Sequence, residues 1–146
     1  MPSPGTEGID RGYVIPIGGA EEKAQDAVIL SRFVKLCGAE KSRIVVIPTA
    51  SELPDTGDNY VTLFRELGAG EVTSLAIEER ADAQSEAHVA ALESATGIFI
   101  TGGNQLRLST ILGGTPVART IRRVNAHGTH VAGTSAGAAI ISEHMI

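Results

Sequence analysis

Residues 130–141, HVAGTSAGAAII, lead from a short apolar run through Gly133-Thr134-Ser135-Ala136-Gly137 into a segment of small, helix-compatible residues. A serine with glycine two positions before and after it, between a strand and a helix, is the pattern of a nucleophile elbow. The sharp turn exposes the serine hydroxyl, and the first N–H groups of the next helix, including that of Ala136, point toward a developing oxyanion. The pattern predicts that Ser135 is a nucleophile; the structural alternative is an ordinary strand-to-helix turn with an N-cap serine.

Upstream of this segment, apolar strands alternate with amphipathic helices. Continuous apolar runs predict strands, and apolar residues at helical spacing predict helices. Strands are expected at 13–17, 44–47, 72–77 and 98–100, and helices at 21–36, 58–67, 85–95 and 116–124. This alternation predicts an α/β fold with an open, mainly parallel sheet between helix layers. In such sheets ligands bind beyond the carboxyl ends of the strands, where the loops at 18–19, 49–51 and 102–105 are expected to meet Ser135.

Composition excludes several classes of function. The chain has 146 residues, of which 42% are hydrophobic and 20% charged, as in a soluble globular domain. The net charge of -5 offers no basic patch, so nucleic acid is not an expected partner. Without a long apolar run or a signal-like start, a cytoplasmic location without membrane contact is expected. The single cysteine, Cys37, falls on the apolar side of a predicted helix and is expected to be a buried structural thiol.

A second group of polar and small residues, Thr101-Gly102-Gly103-Asn104-Gln105, directly follows the fourth strand. Two glycines let backbone N–H groups approach a ligand closely. Beside a serine nucleophile, the N–H of Gly103 or Asn104 would form half of an oxyanion hole together with that of Ala136. A Gly-Gly turn with a helix-capping asparagine explains the same residues equally well. The glycine-rich turns match neither of the phosphate-binding patterns G-x-x-x-x-G-K-[ST] and G-x-G-x-x-G.

The residues that lead into the elbow resemble a motif of a different class of serine protease. Residues 127–134, HGTHVAGT, resemble the histidine motif of subtilisin-like proteases, and Asp55-Thr56-Gly57 resembles their aspartate motif. Residues 51–54 are polar and contain proline, however, so they do not predict the buried strand that should precede that aspartate. His130 would also lie inside the strand that presents Ser135, where it cannot face the hydroxyl. Both histidines are therefore interpreted as a loop residue and a strand-end residue.

A serine hydrolase also needs a general base and a group that orients it. Only His144 follows Ser135, on the helix of the elbow or just past it, where it is badly placed to reach the hydroxyl. Because no base is identified, we expect residues 13–146 to be the N-terminal part of a single α/β hydrolytic domain, truncated after the elbow helix. Residues 1–12 are expected to form a flexible tail. Such a chain alone is expected to be inactive.

Several separate motifs in this order resemble those of cyanophycinases, a serine peptidase family that also contains aspartyl dipeptidases. The matching segments are IGGAE at 17–21, IPTAS at 47–51, FITGGNQLRL at 99–108, LGGT at 112–115 and AGTSAGAA at 132–139. The resemblance covers nearly the whole chain after Gly12. It implies a flavodoxin-like three-layer α/β/α sandwich, similar to class I glutamine amidotransferases, in a homodimer that needs no metal or other cofactor.

The resemblance also implies an activity and roles for individual residues. Cyanophycinases hydrolyse cyanophycin, a poly-aspartate backbone with arginine on each side-chain carboxyl, to β-Asp-Arg dipeptides. Ser135 would be the nucleophile, Gly103 or Asn104 with Ala136 the oxyanion hole, and Gln105 a substrate contact. Position 104 is often aspartate in the family, so Asn104 departs from the pattern. The family's catalytic histidine and acid would follow Ile146. An aspartyl dipeptidase and a non-catalytic fragment that binds a peptide or dimerises remain the alternatives.

Overall fold

The computed structural model describes residues 11–17 and 23–134, with the backbone alone at 23–26. The predicted residues Ser135, Ala136 and His144 therefore lie outside the described residues. The chain alternates five strands and five helices in the described part. In order these are β1 (Val14–Ile17), α1 (Lys23–Leu36), β2 (Arg43–Ile47), α2 (Thr56–Glu66), β3 (Glu71–Ser74), α3 (Glu86–Glu93), β4 (Gly97–Ile100), α4 (Gln105–Leu112), α5 (Pro116–Ala126) and β5 (His130–Thr134).

The strands form one parallel sheet in the order β1-β5-β4-β2-β3, as the alternation of elements predicted. All their carboxyl ends consequently lie at one edge, called the carboxyl edge below. The connection that leaves β2 leads outward to β3, whereas the connection that leaves the neighbouring β4 leads the other way to β5. The topological switch point, where such sheets usually bind ligands, therefore lies between the ends of β2 and β4.

Both faces of the sheet are covered by helices, because successive side chains of each strand point to opposite sides. On one face Val45, Ile98 and Val131 pack against apolar residues of α3, α4 and α5. On the other face Val46 and Phe99 pack against residues of α1 and α2, including Phe33 and Phe64. These two cores give the expected three-layer α/β/α arrangement.

Strand boundaries differ from the prediction at β3 and β1. The apolar run at 72–77 predicted a strand through Ile77, but β3 ends at Ser74. Leu75 still donates its N–H to Val46 O, and Ile77 then donates to Leu75 O, so the chain turns across the carboxyl edge. β1, predicted to be buried, lies at the border of the described sheet with Pro16 exposed. Proline has no N–H to donate, which suits an edge position.

The remaining differences concern α4 and the N-terminal tail. The sequence pattern does not predict α4 (Gln105–Leu112), because the glycines just before it indicate a loop. Most of the predicted flexible tail, residues 1–10, lies outside the described residues, so the tail stays a prediction. The N–H of Gly12 donates to Asn125 O at 2.8 Å, and a Cβ at Gly12 would collide with Thr129 O.

Cys37 is buried as predicted, and desolvation raises the pKa of its thiol to about 12. Of the described helices, none combines the length and apolar character that a bilayer-crossing segment requires.

Candidate active site

The loops that leave β2 and β4 are joined at the switch point. The N–H of Asn104 donates to Ala50 O at 2.8 Å, and the first loop is itself closed by a bond from Ser51 N to Pro48 O at 3.0 Å. Gly103 adopts a φ of 145°, and a Cβ there would collide with Ala50 O. The glycine is therefore required by both its backbone conformation and the close approach of the two loops. The expected meeting of these loops at the carboxyl edge is confirmed.

Asn104 acts as the N-cap of α4 in this conformation. Its Oδ1 accepts a hydrogen bond from the N–H of Arg107 at 3.0 Å, and its own N–H is engaged by Ala50. Asn104 therefore has no backbone donor left for an oxyanion. The N–H of Gly103 makes no hydrogen bond within the part of the chain that the structure describes. Of the two predicted donors, only the N–H of Asn104 is engaged by another described residue, and the role of Gly103 stays a prediction.

Of the other predicted site residues, Gln105, Ser135 and Ala136, the structure describes only Gln105. Gln105 begins α4 and is exposed at the carboxyl edge, next to the Gly103 loop. The register pairs Ile100 of β4 with Gly133 of β5, so β5 ends beside the strand from which that loop leaves. Ser135 and Ala136 follow β5 in the sequence but lie outside the described residues. Their roles, like that of Gln105, remain predictions.

His127 and His130, which precede Ser135 closely in the sequence, lie at the edge of the sheet opposite the carboxyl edge. His130 begins β5, about 13 Å from Thr134 at the strand's rise per residue. Its Nδ1 accepts the N–H of Tyr13 at 3.0 Å and its ring stacks on the Tyr13 ring, while partial burial lowers the pKa of the imidazole. His127 lies just past α5 with Nδ1 2.9 Å from Arg123 O. The interpretation of His127 as a loop residue and of His130 as a strand-end residue is confirmed.

The subtilisin-like aspartate motif is likewise structural. Asp55 is the N-cap residue of α2, and the residues before it form a loop rather than a buried strand. No resemblance to a subtilisin-like triad therefore remains in the described residues.

A cavity of about 320 Å³ opens beside the switch point, between the ends of β2 and β3. It is lined by the loops that follow these strands, by the first turn of α2 and by Arg107 of α4. We call it the edge cavity. Arg107 donates from Nε to Thr49 O at 2.8 Å, and Thr49 donates from Oγ1 to Ile77 O at 2.8 Å. These bonds join the loops that follow β2 and β3 to the first turn of α4.

Sequence reasoning missed Arg107 and the acidic residues of this cavity, Glu52, Asp58 and Glu78. These four residues lie in four separate places, the loop after β2, α2, the loop after β3 and α4, and form no pattern along the chain. One available signal was Asn104-x-x-Arg107, in which the cap at the start of a helix places residue 107 in its first turn near the sheet edge. Within the described residues, no three His, Cys, Asp or Glu side chains are grouped so as to hold a metal ion.

The profile of peptidase family S51 matches residues 14–146. The chain belongs to peptidase family S51. Its relatives include the cyanophycinase of Nostoc sp. strain PCC 7120, which is 46% identical over 135 residues, 91% of this chain and 45% of the relative. The cyanophycinase of Synechococcus elongatus is 44% identical over 138 residues, 93% of this chain and 43% of the relative.

A solved structure agrees with the fold. The crystal structure of a peptidase from an acI-B1 Actinobacterium superposes with a TM-score of 0.72 at 28% identity. The match covers 90% of this chain and 57% of that one. This S51 chain thus spans about half the length of the relatives it matches.

Proposed function

We propose that this protein is a cyanophycinase-like serine exopeptidase, which hydrolyses cyanophycin (multi-L-arginyl-poly-L-aspartate) to β-Asp-Arg dipeptides. The observation that carries the proposal is the 46% identity to a cyanophycinase over 91% of this chain. The geometry is compatible with it, because β5, which directly precedes Ser135 in the sequence, pairs with the strand from which the Gly103 loop leaves. Membership of a peptidase family supports a hydrolytic rather than a purely binding role.

In the proposed mechanism, Ser135 Oγ attacks the peptide carbonyl between two aspartyl units. A general base takes the hydroxyl proton, and the N–H groups of Gly103 and Ala136 stabilise the oxyanion of the tetrahedral intermediate. Loss of one such donor typically costs about 3 kcal/mol of transition-state stabilisation. The C–N bond then breaks as the protonated base gives its proton to the leaving amine. Water attacks the resulting acyl-enzyme ester and releases the dipeptide, which regenerates the serine hydroxyl.

We infer that the general base lies outside the described residues. His127 and His130 lie at the far edge of the sheet, and His88 lies on α3. The resemblance assigns the base and its acidic partner to positions after Ile146. We accordingly propose that residues 1–146 alone do not hydrolyse peptides, and further that the active protein is a cytoplasmic homodimer without metal.

The full-length protein, rather than residues 1–146 alone, tests the proposal directly when it is incubated with cyanophycin. Chromatography should detect β-Asp-Arg, and Ser135→Ala should lower its release by at least about a thousandfold while binding of the polymer persists. Ser94→Ala, at the end of α3, is the matched control and should leave turnover unchanged. Near-normal turnover by Ser135→Ala would refute the assigned nucleophile.

Two further assays separate the alternatives. Asp-Leu offered beside cyanophycin distinguishes an aspartyl dipeptidase, which would cleave the dipeptide and leave the polymer intact. A fluorophosphonate probe distinguishes an activated serine from an ordinary one, because only a serine with its base reacts quickly. Residues 1–146 alone should label no faster than a surface serine. Rapid labelling of these residues would show that the base lies within them.

A further inference from the structure

The edge cavity carries charges of both signs. Glu52 follows β2, Asp58 lies in the first turn of α2 and Glu78 follows β3, while Arg107 contributes the cation. None of these four groups forms an ion pair with another described residue. Three carboxylates against one guanidinium leave the cavity net negative, so it favours a ligand that brings a cation together with one anion.

Arg107 is held in a conformation that suits a carboxylate. Its Nε is fixed by Thr49 O, and its two terminal nitrogens make no hydrogen bond within residues 11–17 and 23–134. A planar guanidinium anchored at one nitrogen presents its remaining N–H groups as a fork, the geometry that binds a carboxylate at two oxygens. The anchoring bond also reduces the side-chain entropy that binding would otherwise remove.

We propose that the edge cavity is a subsite for one β-linked arginyl branch of the polymer. Arg107 binds the free α-carboxylate of that branch, and the carboxylates of Glu52, Asp58 and Glu78 bind its guanidinium. This inference rests on the proposed function, because the branch is a feature of cyanophycin. Each branch arginine is attached through its α-amino group, so it keeps one carboxylate and one guanidinium, the two charges that the cavity complements.

The position of the cavity agrees with such a subsite. Two strand spacings, about 10 Å, separate β5 from β2, whose following loop lines the cavity. About three residues of extended backbone cover that distance. A branch on or near the reacting aspartyl unit can therefore enter the cavity while the backbone lies along the carboxyl edge.

The experiment compares three synthetic oligomers of the polymer by calorimetry, with Ser135→Ala protein so that no ligand is cleaved. The first carries natural arginyl branches. The second carries agmatine branches, which lack the carboxylate, and the third carries citrulline branches, which lack the positive charge. We expect the second and third to bind about tenfold more weakly than the first, as the loss of one charge-assisted pair predicts.

Variants assign the two losses to opposite sides of the cavity. Arg107→Gln should remove the preference for arginine over agmatine branches and keep the preference over citrulline branches. The triple variant Glu52→Gln/Asp58→Asn/Glu78→Gln should do the reverse. Arg122→Gln and Glu66→Gln change exposed charges outside the cavity and should keep both preferences.

Equal binding of the three oligomers, or no binding at all, would overturn the subsite. If Arg107→Gln weakens all three equally, Arg107 has only its structural bond to Thr49, and the carboxylate assignment fails. Failure of the proposed function gives a different result. Protein that does not cleave cyanophycin but still distinguishes the oligomers would retain the subsite, whereas cleavage without discrimination would retain only the activity.

Discussion

The N–H of Asn104 and the carbonyl of Ala50 form a 2.8 Å hydrogen bond between the loops that leave β4 and β2. These strands are neighbours whose onward connections run in opposite directions, so the bond spans the switch point of the sheet. It also commits the Asn104 N–H, and it brings Ala50 so close to residue 103 that only glycine fits. The bond therefore determines which backbone donor of this loop is left for a ligand.

Gly103→Ala should disrupt this junction. Its positive φ and the collision of a Cβ with Ala50 O should together lower the free energy of unfolding by about 2 to 3 kcal/mol. Gly68→Ala is the matched control: Gly68 also has a positive φ, but a Cβ there would meet no atom within 4 Å, so the substitution should cost only about 1 kcal/mol. Urea denaturation measures both. Equal losses would show that the two loops are not tightly packed.

Asn104 should contribute to stability through its side chain and not to catalysis. Asn104→Ala removes the cap from Arg107 N and should cost about 1 kcal/mol in urea denaturation. Asn104→Asp keeps an acceptor oxygen and should retain both stability and peptidase activity. If Asn104→Ala abolished activity without loss of stability, the side chain would be acting on the substrate.

Gly97 and Cys37 should be energetically coupled. A Cβ at Gly97 would collide with the Cys37 Sγ, so Gly97→Ala should destabilise the protein by about 2 kcal/mol. Cys37→Ala removes that sulfur, and the double variant should be about 1 kcal/mol more stable than the sum of the single losses predicts. A double-mutant cycle in urea measures the difference. Strict additivity would mean that α1 and β4 can move apart at this contact.

His130 should make stability depend on pH. Burial lowers the pKa of its imidazole, and its Nδ1 must stay unprotonated to accept the Tyr13 N–H. The unfolded chain takes up this proton first as the pH falls through about 6.5, so the free energy of unfolding should decrease on acidification. His130→Asn keeps an acceptor oxygen without the titration and should reduce the slope. His88→Gln is the control, and an unchanged slope in His130→Asn would contradict the assignment.

The sequence alone determined the layered α/β fold. Strands β2 and β4 are continuous apolar runs, and a strand that is apolar throughout requires cover on both faces, which here comes from helices. Parallel order then followed from the alternation of strand and helix. The meeting of the Thr49 and Gly103 loops at one edge followed in turn, because parallel strands end on the same side.

Only the tertiary structure decided where β3 ends, which backbone N–H groups of the carboxyl edge are engaged, and which side chains share the edge cavity. Periodicity could not show that β3 ends at Ser74, since the apolar residues after it are buried by a turn across the edge instead of by continued pairing. Nor could it choose between Gly103 and Asn104, because a backbone N–H is available or engaged according to a carbonyl more than fifty positions earlier in the chain. The edge cavity has the same origin: Glu52, Glu78 and Arg107 share it because strand order, which no local pattern encodes, makes distant loops neighbours.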